Sequence, residues 1–474
     1  MAEIILPGTY IEVRAEGLIS AGRISTGNIG IVGTAAKGSV DKVHLISSLT
    51  EAREIFGDND EWIDGTSNEL TLMRSLDLIY KNGGRSVYAV RTAALGVLTP
   101  AKFTLERDST VLLTLEAATP GTWGNGIAIS VTSPEADSQT QLEADKSAKA
   151  QVPLKVVLTY GFTQESYEFS QVADLCQQVN QRSSLVTATP SRTTEQELLP
   201  TAVSSGVFQG GSDGAAAQSQ DYARSLALLE DQDVNLILLA GQSQDSEGMA
   251  AVLAGHLKYT AENKRERIGV IGSGSDDLNK ITGHALNNDR LILTAPGVVV
   301  TAHGKQNKLP GGYLAAAVAG LISSLPVQAS PTNKVLTIEG LTTTFNSSKL
   351  EKLVQHRVCA VEQRNGYRIV KGITTNDEAW QQITTRRIVD YAIYGVRSSC
   401  DPYIGKLNNE RVRGAMKATL DGFLTRMVEN EALISYQLEV SATRSQEIAG
   451  TVMVTMTLMP TFSIDFIKVT MYLG

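Results

Sequence analysis

Cysteine, histidine and long apolar runs are all scarce in this 474-residue chain, and each shortage excludes something. Three cysteines, Cys176, Cys359 and Cys400, are too few and too scattered for a disulfide framework, which favours a reducing compartment. Five histidines stand far apart, none at a zinc-motif spacing from another His, Cys or Glu, so no metal is expected. The longest greasy helix candidate, "YLAAAVAGLI" from Tyr313, is about half of what a bilayer demands, so no membrane insertion is expected. The start, "MAEIILPGTYIEV", lacks a basic n-region and is broken by Pro7 and Gly8, which argues against a signal peptide and for synthesis in a cytoplasm.

What is present describes a folded chain of two to four domains: 42% hydrophobic and 19% charged residues. A net charge of -8 argues against a general nucleic-acid binder. Strand-like and helix-like stretches alternate over 22–95 and again over 206–345, as parallel crossovers with helices on both sheet faces require. The stretch 67–84 reads as a helix with Leu70, Met73, Leu76 and Tyr80 at helical spacing, and others fit at 248–263 and 276–287. Residues 96–205 are strand-rich with Pro-Gly punctuation and read as a mostly β insertion. From 346 the pattern changes: a hairpin "HRVCAVEQRNGYRIVKG", two helices near 384–399 and 408–429, then strands. Val452, Val454, Met456 and Leu458 alternate with Thr451, Met453, Thr455 and Thr457. The fold expected is therefore α+β or α/β multidomain: a split α/β domain, a β insertion and an α+β C-terminal domain (346–460), with strand-like segments at 1–21 and 461–474.

Three glycine-rich turns resemble enzyme motifs and fail on spacing. In "IGIVGTAAKGS" (29–39), Lys37 precedes the second glycine, the wrong point from which to reach a phosphate. "GGSDG" (210–214) would put Ser212 on a nucleophile elbow, but the following helix begins late. "GVIGSGSDD" (269–277) lacks the third glycine of a dinucleotide loop, and helix capping by Ser275 or Asp276 explains it better. No catalytic residue and no cofactor is expected.

The terminal segments carry more information. Ile4, Ile5 and Leu6 are apolar, and beyond Pro7-Gly8 Thr9, Ile11 and Val13 share one strand face. Phe462, Ile464 and Phe466 share a face near the other end, with Ile467, Val469 and Met471 on the opposite one. Apolar strands of this kind must be covered, either within their own subunit or by strand addition to a neighbour. Head-to-tail exchange that does not close gives a filament.

At this point the ordered motifs resemble those of contractile tail sheath proteins, found in contractile phages, R-type bacteriocins and related injection systems. The resemblance is carried by "LPGTYIEV" (6–13), the stretch from Thr26 to Gly57, "LIYKNGGRSVYAVR" (78–91) and "GTWGNGIAISV" (121–131). "GGSDG", "LPGGYLAAAVAGLISSLPVQASPTNKVL" (309–336) and "RSQEIAGTVMVTMTLMPTFSIDFIKVTMYL" (444–473) continue it in order. It implies a non-enzymatic subunit that polymerises as stacked rings around an inner tube, with baseplate and terminal cap proteins as further partners, and that contracts from a metastable extended state. It also implies inter-subunit arms, with Ile4, Ile5, Tyr10, Ile11 and Val13 in one and Phe462, Ile464, Phe466, Ile467, Val469 and Met471 in the other. Assembly is then expected in a bacterial cytoplasm, within a phage tail or tail-like particle. The insertion is expected to face outward. In the helix near 408–429, Val412, Met416, Leu420, Phe423 and Met427 form an apolar stripe. Arg411, Ala415, Ala418, Gly422 and Arg426 fall on another side, which is either a tube-facing surface or a solvated charged face, since Glu410 and Asp421 lie close by. Two other readings stay open: a different self-assembling lattice protein, and an α/β enzyme with an inserted β domain.

Overall fold

The computed structural model describes residues 25–58, 70–94, 96, 98–132, 153–191, 199–302 and 305–472. Its centre is a nine-stranded sheet with six neighbouring parallel strands: Val87–Arg91, Ile29–Gly33, Leu236–Ser243, Ile268–Gly272, Leu291–Ala295 and Cys359–Gln363. Antiparallel strands close both sides, Val43–Ile46 at one and Tyr367–Ile369 with Val335–Leu336 at the other. Both faces of the parallel part are covered, so its strands are apolar throughout rather than alternating. Ile29, Ile31, Leu236 and Leu238 pack with helices Leu72–Lys81 and Gly311–Ser324. Val32, Ile237 and Leu239 pack on the other side with Tyr222, Leu253, Leu257 and Leu350.

Helix Gly311–Ser324 is buried almost all round, which explains its unbroken run of small and apolar residues. It starts directly on the strand ends. A Cβ at Gly272 would overlap the Gly311 carbonyl, and Gly311 N–H donates to the Ser273 carbonyl. The glycines of "GVIGSGSDD" thus admit a helix. The cap differs from the expected Ser275 or Asp276: Asp277 accepts from the amides of Asn279 and Lys280. The helix expected over 276–287 is only Leu278–Thr282, because Gly283 ends it and Asn288 is drawn into hydrogen bonds with Thr375.

Two further expectations are corrected. "RLILTAPGVVVTA" (290–302), which reads from the sequence as a strand candidate, divides at Pro296 and Gly297 between two sheets: Leu291–Ala295 stays in the centre, and Val298–Ala302 joins Lys305–Leu309 and Gly340–Leu341. The hairpin Cys359–Gln363 and Tyr367–Ile369 belongs to the central sheet, pairing in parallel with Leu291–Ala295, so a boundary at 346 cuts through that sheet.

The insertion has its own core, between the sheet of Lys102–Arg107, Thr110–Ala117 and Val186–Pro190 and that of Val203–Val207, Ala128–Thr132, Leu154–Tyr160 and Thr163–Phe169. The chain enters and leaves it through one neck, where Leu98–Thr99 pairs with Ser212–Asp213.

Beyond 375, helices Ile383–Cys400 and Glu410–Glu429 cross so closely that a Cβ at Gly395 would overlap the Phe423 ring. They support a hairpin, Leu433–Ser441 with Met453–Pro460. Ionic contacts fix this unit to the centre. Arg290 grips Asp390 through two bonds of 2.7 and 3.0 Å, Arg386 bridges Asp390 and Asp289, and Arg397 holds Glu266 through two bonds of 2.6 Å.

Candidate assembly surface

The glycine turns serve as joints. Lys37 lies over Trp123 and Tyr160 of the insertion, 5.0 and 5.6 Å from the ring centroids, and burial lowers its pKa. Beside it Arg91, 1% exposed, donates to the carbonyls of Gly38 (2.6 Å) and Pro120 (2.7 Å). Asp213 of "GGSDG" faces Arg91 and accepts from the Thr122 amide. Burial lowers the Arg91 pKa to about 10, opposed by the Asp213 charge. This cluster pins the neck of the insertion to the central sheet. Sequence reasoning missed Arg91, because a lone arginine closing a strand carries no motif. Ser212 lies in the two-residue neck strand and accepts from the Gly214 amide, and the next helix starts only at Ser219.

Of the five histidines, His303 lies outside the described residues, and the other four make contacts within the fold. His256 sits 3.1 Å from Arg267, and burial together with that cation lowers its pKa to about 3. His284 contacts the His356 carbonyl, and His44 meets Phe56 edge-on. Among the described residues there is no group of three or more metal-ligating side chains, and no helix is long and apolar enough to cross a membrane. The cysteines at 176, 359 and 400 are free.

The exposed apolar chemistry gathers around the hairpin Leu433–Ser441 and Met453–Pro460. Its inner side chains, Tyr436, Leu438, Val440, Val452, Val454 and Leu458, lie half-buried on the two helices. In the second strand the even-numbered residues are half-buried and the odd-numbered ones exposed, the alternation read from sequence. Among the described residues no third strand joins this sheet, so both outer edges keep unpaired backbone groups. Ile434, Met453 and Met459 add exposed apolar surface.

The segment after Pro460 has no secondary structure through residue 472. It begins against the hairpin, with Thr461 N–H donating to the Ala432 carbonyl. Phe462, Ile464, Phe466, Ile467, Val469 and Met471 are all exposed, Ile467 at 82% and Met471 at 84%. The other segment, with Ile4, Ile5, Tyr10, Ile11 and Val13, lies outside the described residues. The described chain starts at the same corner: Thr26 lines one cleft with Val327, Met427 and Ala432, and its carbonyl accepts from Arg387.

Helix Glu410–Glu429 buries Met416, Leu420, Phe423 and Met427, with Val412 half-buried. Arg411, Ala418, Gly422 and Arg426 are exposed, and Ala415 is half-buried with its carbonyl accepting from Tyr403. A Cβ at Gly414 or Gly422 would meet nothing within 4 Å, so this side of the helix is open. Lys417 and Asp421 are exposed on the same helix, which makes its surface charged in both signs.

A "Phage tail sheath protein central domain" matches residues 215–375, and a "Phage tail sheath C-terminal domain" matches residues 375–474. A tail sheath protein of Staphylococcus phage Twort is 26% identical over 196 residues, covering 38% of this chain and 33% of that protein. The matches span from a third to about half the length of the curated relatives. A solved sheath tail protein from Desulfitobacterium hafniense superposes with a TM-score of 0.65 at 16% identity, covering 96% of this chain and 100% of that one. The anti-feeding prophage sheath, solved in its contracted state, gives 0.56 at 14% identity, with 99% of each chain covered. At such identities the likeness to the solved structures is one of fold. The two family matches together span more than half of the chain, and with the shared fold they establish that it belongs to the phage tail sheath family.

Proposed function

We propose that this protein is the repeating subunit of a contractile sheath. It polymerises helically around an inner tube and contracts from a metastable extended state to drive that tube through a target envelope. One observation carries the reading: a two-stranded sheet with both edges open stands at the root of an unpaired, exposed apolar segment. A sheet with open edges accepts a strand, and an apolar segment without a sheet donates one. In this reading each subunit is both donor and acceptor, as a heterologous polymer requires. The segment 461–474, with Phe462, Ile464, Phe466, Ile467, Val469 and Met471, supplies one donor arm, and the segment with Ile4, Ile5, Tyr10, Ile11 and Val13 supplies the other.

In this reading the energy of firing resides in subunit contacts exchanged between two lattices, and no catalytic group or cofactor is needed. The open face of helix Glu410–Glu429, with Arg411, Ala415, Ala418, Gly422 and Arg426, contacts the tube. Small residues permit close approach, and the arginines suit carboxylates on a partner. Baseplate and cap proteins terminate the polymer, and assembly occurs in a bacterial cytoplasm. The insertion, with its own core and a single neck, faces outward.

The test is sedimentation and negative-stain imaging of the full chain beside a variant lacking residues 466–474. Hollow striated tubes from the full chain alone support strand donation. Tubes of equal length from both remove this arm from assembly.

A further inference from the structure

The exposed segment after Pro460 is divided in two, and the division falls at one side chain. From Thr461 to Asp465 half-buried residues (Thr461, Ser463, Asp465) alternate with exposed ones, the pattern of a strand lying on a surface. From Phe466 to Tyr472 every residue is exposed. At the break, the Asp465 carboxylate receives Lys371 Nζ at 3.5 Å and Gln382 Nε2 at 3.3 Å, and its side chain is only 13% exposed. Lys371 Nζ also stands 5.5 Å from the Phe466 ring centroid. The two partners lie on different units. Lys371 follows the central-sheet strand Tyr367–Ile369, and Gln382 is the N-cap of helix Ile383–Cys400.

We infer that Asp465 is the fixed root of the arm. Residues 461–465 stay with their own subunit, residues 466–472 are the part given to a neighbour, and tension on the donated strand is borne at the joint between the central sheet and the C-terminal unit. Asp465 is a positioning residue: it sets where the free segment starts and its direction of departure. Seven extended residues reach about 23 Å. Without the clasp the free segment would begin at Phe462, longer and without a fixed heading, and its end would meet an acceptor at lower effective concentration. This inference rests on the strand-donor reading above.

Two measurements test it. In the soluble subunit, kept below the concentration at which it polymerises, backbone amide order parameters should stay near about 0.85 through Asp465 and drop below about 0.6 from Ile467. In Asp465→Ala the drop should move back to Phe462. A parent without a step at Asp465, or a variant that keeps it there, overturns the assignment. In the assembly assay, Asp465→Ala should raise the concentration needed for polymer about fivefold, the scale of a partly exposed ion pair. Asp465→Asn, which can still accept from Gln382, should fall between, and the exchange Asp465→Lys with Lys371→Asp should restore the parent value. Asp465→Ala assembling like the parent, or an exchange that restores nothing, overturns the root. Deletion of 466–474 separates the two ideas. If it abolishes polymer while Asp465→Ala does not, the root falls and strand donation stands; if neither matters, strand donation itself falls.

Discussion

Asp390 sits in the seam between the central sheet and the C-terminal unit, held by two arginines, and removing it should cost more than any surface charge. Its carboxylate accepts four bonds, two from Arg290 (2.7 and 3.0 Å) and two from Arg386 (3.1 and 2.8 Å). The three side chains are 12%, 14% and 7% exposed for Arg290, Asp390 and Arg386, too dry for solvent to replace the pairing. Asp390→Ala leaves two guanidinium groups facing each other, and breaking a buried pair this way costs about 3–5 kcal/mol. Arg386 keeps Asp289 at 2.9 Å and its stack on Trp380 at 4.4 Å, so the lower end, about 3 kcal/mol, is expected. Scanning calorimetry should register this as a fall in melting temperature of about 6–12 °C for a unit of this size. Replacing all three together (Arg290→Met, Asp390→Leu, Arg386→Met) should recover most of the loss, because an apolar substitute removes the stranded charges. A single variant within 1 kcal/mol of the parent, or a triple variant as damaged as the single, would refute the reasoning.

Acid should act through His256, which the fold holds neutral at a pKa of about 3 against an ordinary 6.5. Between those values the unfolded chain binds the extra proton, so stability falls as pH drops from 6.5 towards 3, by about 1.4 kcal/mol per pH unit from this group. His256→Gln should flatten that part of the pH–stability curve measured by urea unfolding, and an unchanged slope would exonerate the histidine. Gly395→Leu should force apart the helices that carry the hairpin Leu433–Ser441 with Met453–Pro460, costing about 1–3 kcal/mol, with partial recovery when Phe423→Ala is added; thermal melts followed by circular dichroism decide it. Reversing Arg411 and Arg426 to Glu should leave the subunit fold intact while reducing co-sedimentation with the inner tube protein. Sheath that still forms normally on its tube sinks the tube-facing assignment.

The central sheet was legible because both of its faces are buried: "NIGIVG", "VNLILLAG" and "RIGVIG" are short apolar runs bounded by turn residues, and each is a central strand. The helix stripe ending in Phe423 and Met427 and the alternation from Val452 to Leu458 were legible for the opposite reason, since one face packs and the other meets solvent. Membership of the 359–369 hairpin was not, because sheet order depends on contacts between residues distant in sequence, such as Thr294 beside Cys359. Nor were Arg91, Asp390 and Asp465. Each works through one long-range partner set, and a single charged residue in a row of letters does not say what it will face. Of the candidate assembly residues, the pattern singles out Phe462, Ile464, Phe466, Ile467, Val469 and Met471, which are exposed, while Ile4, Ile5, Tyr10, Ile11 and Val13 lie outside the described residues. The clasp that would aim them is visible only in three dimensions.

Contraction is tested most directly by electron microscopy of this chain assembled on its inner tube, before and after a destabilising pulse of acid or denaturant. Long striated sheaths should become shorter and wider, with the bare tube protruding and the subunits still joined. Sheaths that dissolve into single subunits without passing through a shorter, wider form would contradict it. So would a chain that stays monomeric or dimeric with its tube protein present.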